Sequence, residues 1–265
     1  MYYIDGCSLT LGYLDRLDNT FKQSFAHYLN KKKVCYGYQG KDNHSMLIDF
    51  FKLDPCEWEH VIIYWSYPDR HALNDIDDKG LVRTPNKNIA GPLINDGNEQ
   101  FYAAQVRETA IYIYLLQTVL KERNLPYTFL TCTPQMHFED YALSIYKDID
   151  QSRILNWTDR HFRRYDWRTE YWMYSLPVLY GTYFDCLGWD LAHLTQSGDK
   201  QFALWIEESI NNNTKEVPDW KDTDVFNWTI NHTKSGVGVI HPSMDTGYSR
   251  TKELAKSVST FIYEE

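Results

Sequence analysis

Ser8 lies in a segment bounded by glycines, Gly6-Cys7-Ser8-Leu9-Thr10-Leu11-Gly12, close to the start of the chain. The short apolar run at residues 1–4 precedes this segment and predicts a strand. A serine hydroxyl is a weak nucleophile unless a base takes its proton and N–H groups face the oxyanion that develops on the substrate. A tight turn between a strand and a helix provides that arrangement. We therefore expect Ser8 to be a nucleophile at the carboxyl end of a first strand.

A candidate base for this serine is His193, in the segment Trp189-Asp190-Leu191-Ala192-His193-Leu194-Thr195-Gln196-Ser197-Gly198. Asp190 precedes the histidine by three residues, and a three-residue separation in a turn places both side chains on one side. The carboxylate can then hold one imidazole nitrogen while the other nitrogen faces Ser8. Asp190 and His193 are therefore candidates for the orienting carboxylate and the base of Ser8.

A second histidine, His241, lies in a comparable segment, Ile240-His241-Pro242-Ser243-Met244-Asp245-Thr246-Gly247-Tyr248. Gly238 occupies the position three residues before it, so no nearby carboxylate orients its ring in the same way. His193 is therefore the preferred base and His241 the alternative. If His241 is not the base, it stabilises the C-terminal part of the chain or lines the substrate cleft.

Helix-like and strand-like runs alternate along the chain. A continuous apolar run predicts a buried strand at residues 60–65, and strand-like runs predict two more strands at residues 34–36 and 127–132. Apolar residues spaced by three or four predict helices at residues 14–28, 46–51, 98–123, 202–210 and 252–263. Between them, residues 71–97 are rich in turn-forming residues and predict a surface excursion. This alternation is typical of an α/β domain with a parallel sheet, whose ligand site lies beyond the carboxyl ends of the strands.

Two of these segments also resemble a known family. The run from Gly6 to Gly12 is similar to the Gly-Asp-Ser-Leu-Thr-x-Gly block of the GDSL or SGNH hydrolases, with Cys7 in place of the aspartate. The Asp190-x-x-His193 segment resembles the loop that carries the base in that family, and a helical stripe follows it here as well. The resemblance implies a three-layer, flavodoxin-like α/β sandwich with a central parallel sheet. It also implies that Ser8 is the nucleophile and that no metal or organic cofactor is needed.

The family's oxyanion hole is matched only in part. The segment Tyr36-Gly37-Tyr38-Gln39-Gly40-Lys41-Asp42 is similar in layout to the second family block, which makes Gly40 an N–H donor beside the N–H of Ser8. The third block departs, because Pro68 stands where the family has a donating asparagine, and proline has no donor. The third hydrogen bond then comes from Ser66, from Arg70, or is absent. An ordinary surface pair of Asp69 and Arg70 is the alternative.

Composition limits the possible partners and locations. The 265-residue chain carries a formal net charge of −9, which opposes binding to the phosphate backbone of nucleic acids. No apolar run approaches the roughly 20 residues that span a bilayer, and no charged segment followed by an apolar one begins the chain. We expect a soluble protein that does not bind membranes, located in the cytoplasm of the producing cell or associated with a virion. The five cysteines are scattered, which indicates neither a disulfide framework nor a zinc site.

Residues 157–189 combine many aromatic side chains with four arginines, Arg160, Arg163, Arg164 and Arg168. Aromatic faces stack on sugar rings and guanidinium groups bind acidic groups, so this segment is a candidate for recognising an acylated or acidic glycan. The alternative is that the aromatic side chains cover the core and the arginines lie solvated around them.

These observations predict a hydrolase-like domain at residues 1–210, with a C-terminal extension at residues 211–265 packed on it. The expected function is that of a serine esterase or deacylase acting on a small-molecule or glycan ester, with O-acetyl groups of a carbohydrate as the first candidate. The alternative is a catalytically degenerate SGNH-like domain that serves as a binding or structural module, for example in a viral particle. Cys7 and Pro68 favour that alternative, because both replace conspicuous residues of the family pattern. A thiol nucleophile at Cys7 is disfavoured, since it shifts the turn by one residue.

Overall fold

The computed structural model describes residues 1–14, 20–37, 41–53, 58–68, 74–76, 82–85, 99–133, 135–155, 193–212 and 261–263. In chain order these residues form β1 (Tyr2–Asp5), α1 (Ser8–Leu11), β2 (Gly12–Leu14), β3 (Phe21–Gln23), α2 (Phe25–Tyr28), β4 (Lys33–Cys35), α3 (Asn43–Lys52), β5 (His60–Trp65), β6 (Asn74–Ile76), β7 (Val82–Pro85), α4 (Glu99–Glu122), β8 (Tyr127–Thr131), α5 (Gln135–Tyr146), β9 (Ile154–Leu155), α6 (Gln196–Asn212) and β10 (Phe261–Tyr263). A short 3₁₀ helix (Gln151–Arg153) precedes β9.

The central sheet has the strand order β10-β4-β1-β5-β8-β9. Five of these strands run parallel, and β10 pairs antiparallel with β4 at one edge. Counted along the chain, the parallel strands have the spatial order 2-1-3-4-5, which is the flavodoxin-like arrangement. Because the strand order reverses at β1, the carboxyl end of β1 lies where open α/β sheets bind their ligands.

The strands of this sheet arise from apolar sequence that is buried along its whole length. All six residues of β5 and all five residues of β8 are buried. A strand in the middle of a parallel sheet is covered by helices on both faces, so it does not alternate between apolar and polar residues. The predicted strands at residues 60–65 and 127–132 are confirmed, with the second ending one residue earlier.

The helices pack in two groups. α4 packs against α3 and α5, whereas α2 packs against α1 and α6. Because crossovers between parallel strands are right-handed, the connection from β1 to β4 lies on one face of the sheet. The connections from β4 to β5, from β5 to β8 and from β8 to β9 run across the sheet in the opposite direction, so they lie on the other face. The predicted three-layer α/β fold is therefore confirmed. The long predicted helix is α4, whose buried stripe includes Tyr102, Val106, Ile113, Leu116 and Leu120.

The single helix predicted after Ser8, over residues 14–28, is wrong. α1 ends at Leu11, and β2 and β3 then form an antiparallel hairpin before the four-residue α2. Gly12 ends α1 with a φ of 139°, a conformation that other residues rarely adopt. A Cβ at Gly12 would also lie 2.2 Å from the carbonyl oxygen of Lys22. The helix-like spacing of the apolar residues spans several short elements instead of one long helix.

The terminal helix predicted for residues 252–263 is wrong at its end, because Phe261–Tyr263 forms β10. Phe261 lies opposite Cys35 in the antiparallel ladder with β4. Aromatic and β-branched residues such as Phe-Ile-Tyr favour strands, and an open sheet edge provides the hydrogen-bonding partner. The remainder of residues 213–265 lies outside the described residues, so the domain boundary at residue 210 stays a prediction.

Two further sequence-based expectations concern the surface. In the excursion predicted at residues 71–97, β6 and β7 pair as an antiparallel ribbon, and the rest of that segment lies outside the described residues. Among the helices that the structure describes, none has the length and apolar character needed to cross a bilayer.

Candidate active site

Ser8 begins α1 directly beyond the carboxyl end of β1. Gly6 and Cys7 connect the two elements, and only 4% of the Ser8 surface is exposed. Glycine is required at position 6, because a Cβ there would lie 2.0 Å from Thr10 Oγ1 and 3.1 Å from Tyr64 Cβ. The close approach of Thr10 and Tyr64 holds the turn tightly. The strand-to-helix turn predicted from the sequence is therefore present, although its helix is short.

The Ser8 hydroxyl lies against the imidazole of His193. Nε2 of His193 is 3.0 Å from Oγ of Ser8, and the histidine is partly buried. His193 lies three residues before Gln196, the first residue of α6, so the start of this helix places the His193 backbone. Thr195 stabilises that start by accepting the N–H of Gly198 with its hydroxyl, at 3.2 Å. The distance expected for a serine and its base is thus observed for this pair.

The Ser8 backbone is held by a second serine on a different element. Ser24 Oγ donates to the carbonyl oxygen of Ser8 at 2.9 Å, and the N–H of Gly12 donates to the same carbonyl. Ser24 N in turn donates to the carbonyl of Leu11 at 3.2 Å. These contacts tie α1 to the start of α2. They fix the orientation of the serine without occupying its hydroxyl.

A buried ion network lies directly before this turn. Lys41 Nζ lies 2.7 Å from each carboxylate oxygen of Asp5 and 2.6 Å from Oδ2 of Asp49. The Asp5 carboxylate also accepts the N–H of Gly6 at 2.7 Å and the hydroxyl of Tyr3 at 3.1 Å. Asp5 therefore connects the ion network to the residue that opens the Ser8 turn.

Burial and the attraction between opposite charges shift the pKa values of Asp5 and Lys41 in opposite directions. Burial raises the pKa of Asp5 to about 6, although the Lys41 ammonium opposes this shift. For Lys41, burial by itself would lower the pKa, but the carboxylates of Asp5 and Asp49 outweigh burial and raise it. Lys41 is therefore a permanent cation at neutral pH, and the stability of the network depends on it.

Ser66, one of the candidate oxyanion donors, lies just beyond the carboxyl end of β5, the strand next to β1. Its N–H donates to Asn43 Oδ1 at 2.6 Å, and its carbonyl accepts from Asn43 Nδ2 at 3.2 Å. Asn43 Nδ2 also donates to Thr109 Oγ1 at 3.0 Å. Because Asn43 engages both backbone groups of Ser66, a role in an oxyanion hole falls to the Ser66 hydroxyl.

Two other buried histidines are poorly suited to act as the base. His137 Nδ1 lies 2.7 Å from the hydroxyl of Tyr102, and burial lowers the pKa of His137 to about 4. His60 begins β5 at the opposite end of the sheet, and burial also lowers its pKa to about 4. A pKa near 4 makes an imidazole a weak proton acceptor at neutral pH. Neither histidine competes with His193 on these grounds.

Four of the predicted site residues lie outside the described residues: Asp190, Gly40, Arg70 and the alternative base His241. The aromatic segment at residues 157–189 also lies outside them. Their roles stay predictions. Within the described part of the chain, no group of three or more histidine, cysteine or acidic side chains is arranged to hold a metal ion.

Sequence reasoning missed the residues that support Ser8. Asp5 carried a weak signal, because it ends an otherwise apolar strand, and a charge in such a run calls for a buried partner. Asp49 gave a similar signal on the apolar face of α3. Ser24 gave none, because it lies in a segment that was predicted as helix and its partner, Ser8, is 16 residues away.

No protein-family model, curated protein or solved structure matches this sequence.

Proposed function

We propose that this chain is a serine ester hydrolase of the SGNH type, with Ser8 as nucleophile and His193 as base. The observation that carries the proposal is the 3.0 Å contact between Ser8 Oγ and His193 Nε2, two residues separated by 185 positions in the sequence. Their positions support it further, since Ser8 follows the strand at which the sheet order reverses.

The proposed reaction has two steps. His193 Nε2 takes the proton of Ser8 as Oγ forms a bond to the ester carbonyl carbon, and it then gives that proton to the leaving alcohol as the ester C–O bond breaks. Water attacks the resulting acyl-serine with the same histidine as base, which releases the acid and restores Ser8. In this proposal Asp190 holds the other ring nitrogen, as its position three residues before His193 indicates.

The oxyanion of each tetrahedral intermediate requires hydrogen-bond donors. The N–H of Ser8 lies in the first turn of α1, where backbone N–H groups have no acceptor within the helix. Gly40 is the second proposed donor, on the family resemblance. The third is the Ser66 hydroxyl or the Arg70 side chain, since Pro68 cannot donate.

The substrate class is an acyl ester, with O-acetyl groups on a carbohydrate as the first candidate. This candidate rests on the aromatic and arginine-rich composition of residues 157–189. Acetylated carbohydrates are therefore included in the substrate panel beside simple aryl esters.

Hydrolysis of an aryl acetate by three purified proteins tests the proposal: the natural chain, Ser8→Ala and Cys7→Ala. We expect Ser8→Ala to abolish turnover and Cys7→Ala to keep most of it, because Cys7 is fully buried. Cys7→Ala is the matched control, since it changes the adjacent residue of the same turn. If the folded natural chain shows no Ser8-dependent turnover on any ester of the panel, the proposal of an enzyme is rejected in favour of a binding or structural module.

The third oxyanion donor gives a separate kinetic prediction. If the Ser66 hydroxyl serves the oxyanion, Ser66→Ala lowers kcat by about 100-fold with little change in KM, because such a donor acts on the transition state. The bonds from Asn43 reach only the backbone of Ser66, so the substitution leaves them in place. Arg70→Ala is measured in parallel as the other candidate. Losses below about threefold in both variants would mean that backbone donors work alone.

A further inference from the structure

Ser66 follows β5 in the same way as Ser8 follows the neighbouring strand β1. The parallel register pairs Asp5 with Ile63. Ser8 lies three residues after the first of these positions, and Ser66 lies three residues after the second. The two chains stay close beyond the paired residues, because a Cβ on the glycine that follows Asp5 would lie 3.1 Å from Cβ of Tyr64. The end of β5 therefore runs beside the turn that carries the candidate nucleophile.

A side-chain amide binds both backbone groups of Ser66, one residue beyond the end of β5. Asn43 Oδ1 accepts the N–H of Ser66 at 2.6 Å, and Asn43 Nδ2 donates to the carbonyl of Ser66 at 3.2 Å. The residue before, Trp65, is still bonded by backbone, since its carbonyl accepts the N–H of Cys132 at 2.9 Å. The amide of Asn43 therefore continues the hydrogen bonding of β5 by one residue.

Asn43 is itself held by two helices. It is the first residue of α3, and the N-cap residue Asp42 stabilises this helix start by accepting the N–H of Ser45 at 2.7 Å. On the other side, Asn43 Nδ2 donates to Oγ1 of Thr109 on α4 at 3.0 Å. Only 4% of the Asn43 surface is exposed, and Ser66 is fully buried. Asn43 thus fixes Ser66 to α3 and α4 at a place that is closed to water.

We propose that Asn43 is a positioning residue that holds the Ser66 hydroxyl where it donates to the oxyanion formed at Ser8. The inference rests on the proposed function of Ser8 and His193, and it assigns the third oxyanion donor to Ser66. Donors in an oxyanion hole are effective because they are oriented before the reaction begins. Two hydrogen bonds to the backbone of one residue provide that orientation, and Asn43 makes them without engaging the hydroxyl.

Loss of the Asn43 amide has a specific consequence under this proposal. The N–H and the carbonyl of Ser66 each lose a buried partner, so the chain that follows β5 shifts to restore hydrogen bonds. A displacement of about 1 Å is enough to lower turnover by about 100-fold. The loss cannot exceed what the Ser66 hydroxyl contributes, because Asn43 acts through that group. Once the hydroxyl has been removed, the amide has no donor to position.

A double-mutant cycle tests this dependence on the Ser66 hydroxyl. Kinetic constants for hydrolysis of an aryl acetate are measured for the natural chain, Asn43→Ala, Ser66→Ala and the double variant. We expect Asn43→Ala to lower kcat by about 10- to 100-fold with KM changed by less than about threefold. In the Ser66→Ala background, the same substitution is expected to change kcat by less than about threefold. A residue that only stabilises the fold would lower kcat equally in both backgrounds.

Asn43→Asp is the second variant, and it is measured in the same two backgrounds in case Asn43→Ala does not fold. Aspartate has the shape of asparagine and keeps an acceptor for the N–H of Ser66. Its other oxygen cannot donate to the carbonyl of Ser66 or to Thr109 as Nδ2 does in the natural chain. We expect Asn43→Asp to lower kcat by at least about tenfold, and again by less than about threefold in the Ser66→Ala background.

Gln117→Ala is the matched control, because Gln117 is another buried amide that binds two backbone groups. Its Oε1 accepts the N–H of Asp150 at 2.8 Å, and its Nε2 donates to the carbonyl of Asp148 at 2.9 Å. These residues lead into the amino end of β9, whereas Ser8 follows the carboxyl end of β1 in the same parallel sheet. We expect kcat to be unchanged in Gln117→Ala. An equal loss in Gln117→Ala and Asn43→Ala would overturn the proposal, since any buried amide would then suffice.

The outcomes separate this inference from the proposed function. Absence of Ser8-dependent turnover in the folded natural chain would refute the enzyme, and the positioning role with it. With that turnover present, a loss in Asn43→Ala that persists in the Ser66→Ala background would refute the positioning role alone. A loss below about threefold in Ser66→Ala would do the same, because Asn43 would then have no donor to position.

Hydrogen exchange of the Ser66 N–H, followed by NMR, measures the contact without any turnover. We expect this N–H to lose its protection in Asn43→Ala and to keep it in Gln117→Ala, because Asn43 Oδ1 is its acceptor. Unchanged protection in folded Asn43→Ala would show that the amide does not hold Ser66, and the proposal would be rejected.

Discussion

Replacement of Lys41 by methionine is expected to lower the free energy of unfolding by about 3–5 kcal/mol. Methionine fills a similar volume, but it leaves the carboxylates of Asp5 and Asp49 without the ammonium that lies 2.7 and 2.6 Å from them. All three side chains are buried, so water cannot replace the lost partner. Unfolding by urea at pH 8, followed by tryptophan fluorescence, measures the change.

The pH dependence of this loss follows from the direction of the Asp5 shift. Burial raises the pKa of Asp5 to about 6 while Lys41 holds it down, so the pKa rises further without the lysine. The unfolded chain releases this proton near pH 4, whereas the folded variant retains it to higher pH. Stability falls with pH wherever the folded state binds more protons. The deficit of Lys41→Met is therefore expected to grow from pH 5 to pH 8.

Lys33→Met provides the matched control for the loss of a buried lysine. Lys33 is also buried, and its Nζ donates to the carbonyl of His27 at 3.0 Å and to that of Leu29. Its replacement removes hydrogen bonds to neutral carbonyl groups, so we expect a cost of about 1–2 kcal/mol. If Lys41→Met costs no more than Lys33→Met, the ion network does not stabilise the Ser8 turn as described.

The second large effect concerns the Ser8 and His193 pair. We expect His193→Ala to lower kcat for an aryl acetate by about 10⁴-fold or more, because a serine hydroxyl without its base is a weak nucleophile. Thermal unfolding is expected to change little, since His193 is only partly buried.

A double-mutant cycle makes this prediction sharper. Ser8 and His193 act as one unit, so the combined variant of Ser8→Ala and His193→Ala is expected to be no slower than either single variant. His241→Ala, the alternative base, is measured beside them. Losses that multiply in the double variant, or a larger loss in His241→Ala than in His193→Ala, would contradict the assignment of His193.

The sequence predicted those parts of the fold that depend on long apolar runs. β5 is buried on both faces, and its apolar sequence is continuous from Val61 to Trp65. β8 is buried along its whole length as well, although it includes Thr128 and Thr131. α4 has a buried stripe through 24 residues, which no strand could produce. The contact between Ser8 and His193 was predicted because the segments that carry these residues resemble two blocks of the SGNH hydrolases.

The region after Ser8 was not predictable in the same way. Gly12 turns the chain into a hairpin, but apolar residues on both sides continue a helix-like spacing, so local periodicity gave the wrong element. The supporting contacts depend on distant positions: Asp5 and Lys41 are 36 residues apart. Asp5 signals only that some buried partner is needed, because it ends an apolar strand. Lys41 by itself resembles an ordinary surface charge, so the sequence does not identify it as that partner.

The most direct test of the central claim is covalent labelling of the natural chain with a fluorophosphonate, with the site located by mass spectrometry. Such reagents phosphonylate a serine hydroxyl that a neighbouring base activates. We expect a single adduct on the peptide that contains Ser8, absent from Ser8→Ala and strongly slowed in His193→Ala. A folded natural chain that forms no adduct, or that carries its adduct on another residue, would contradict the assignment of Ser8 as an activated nucleophile.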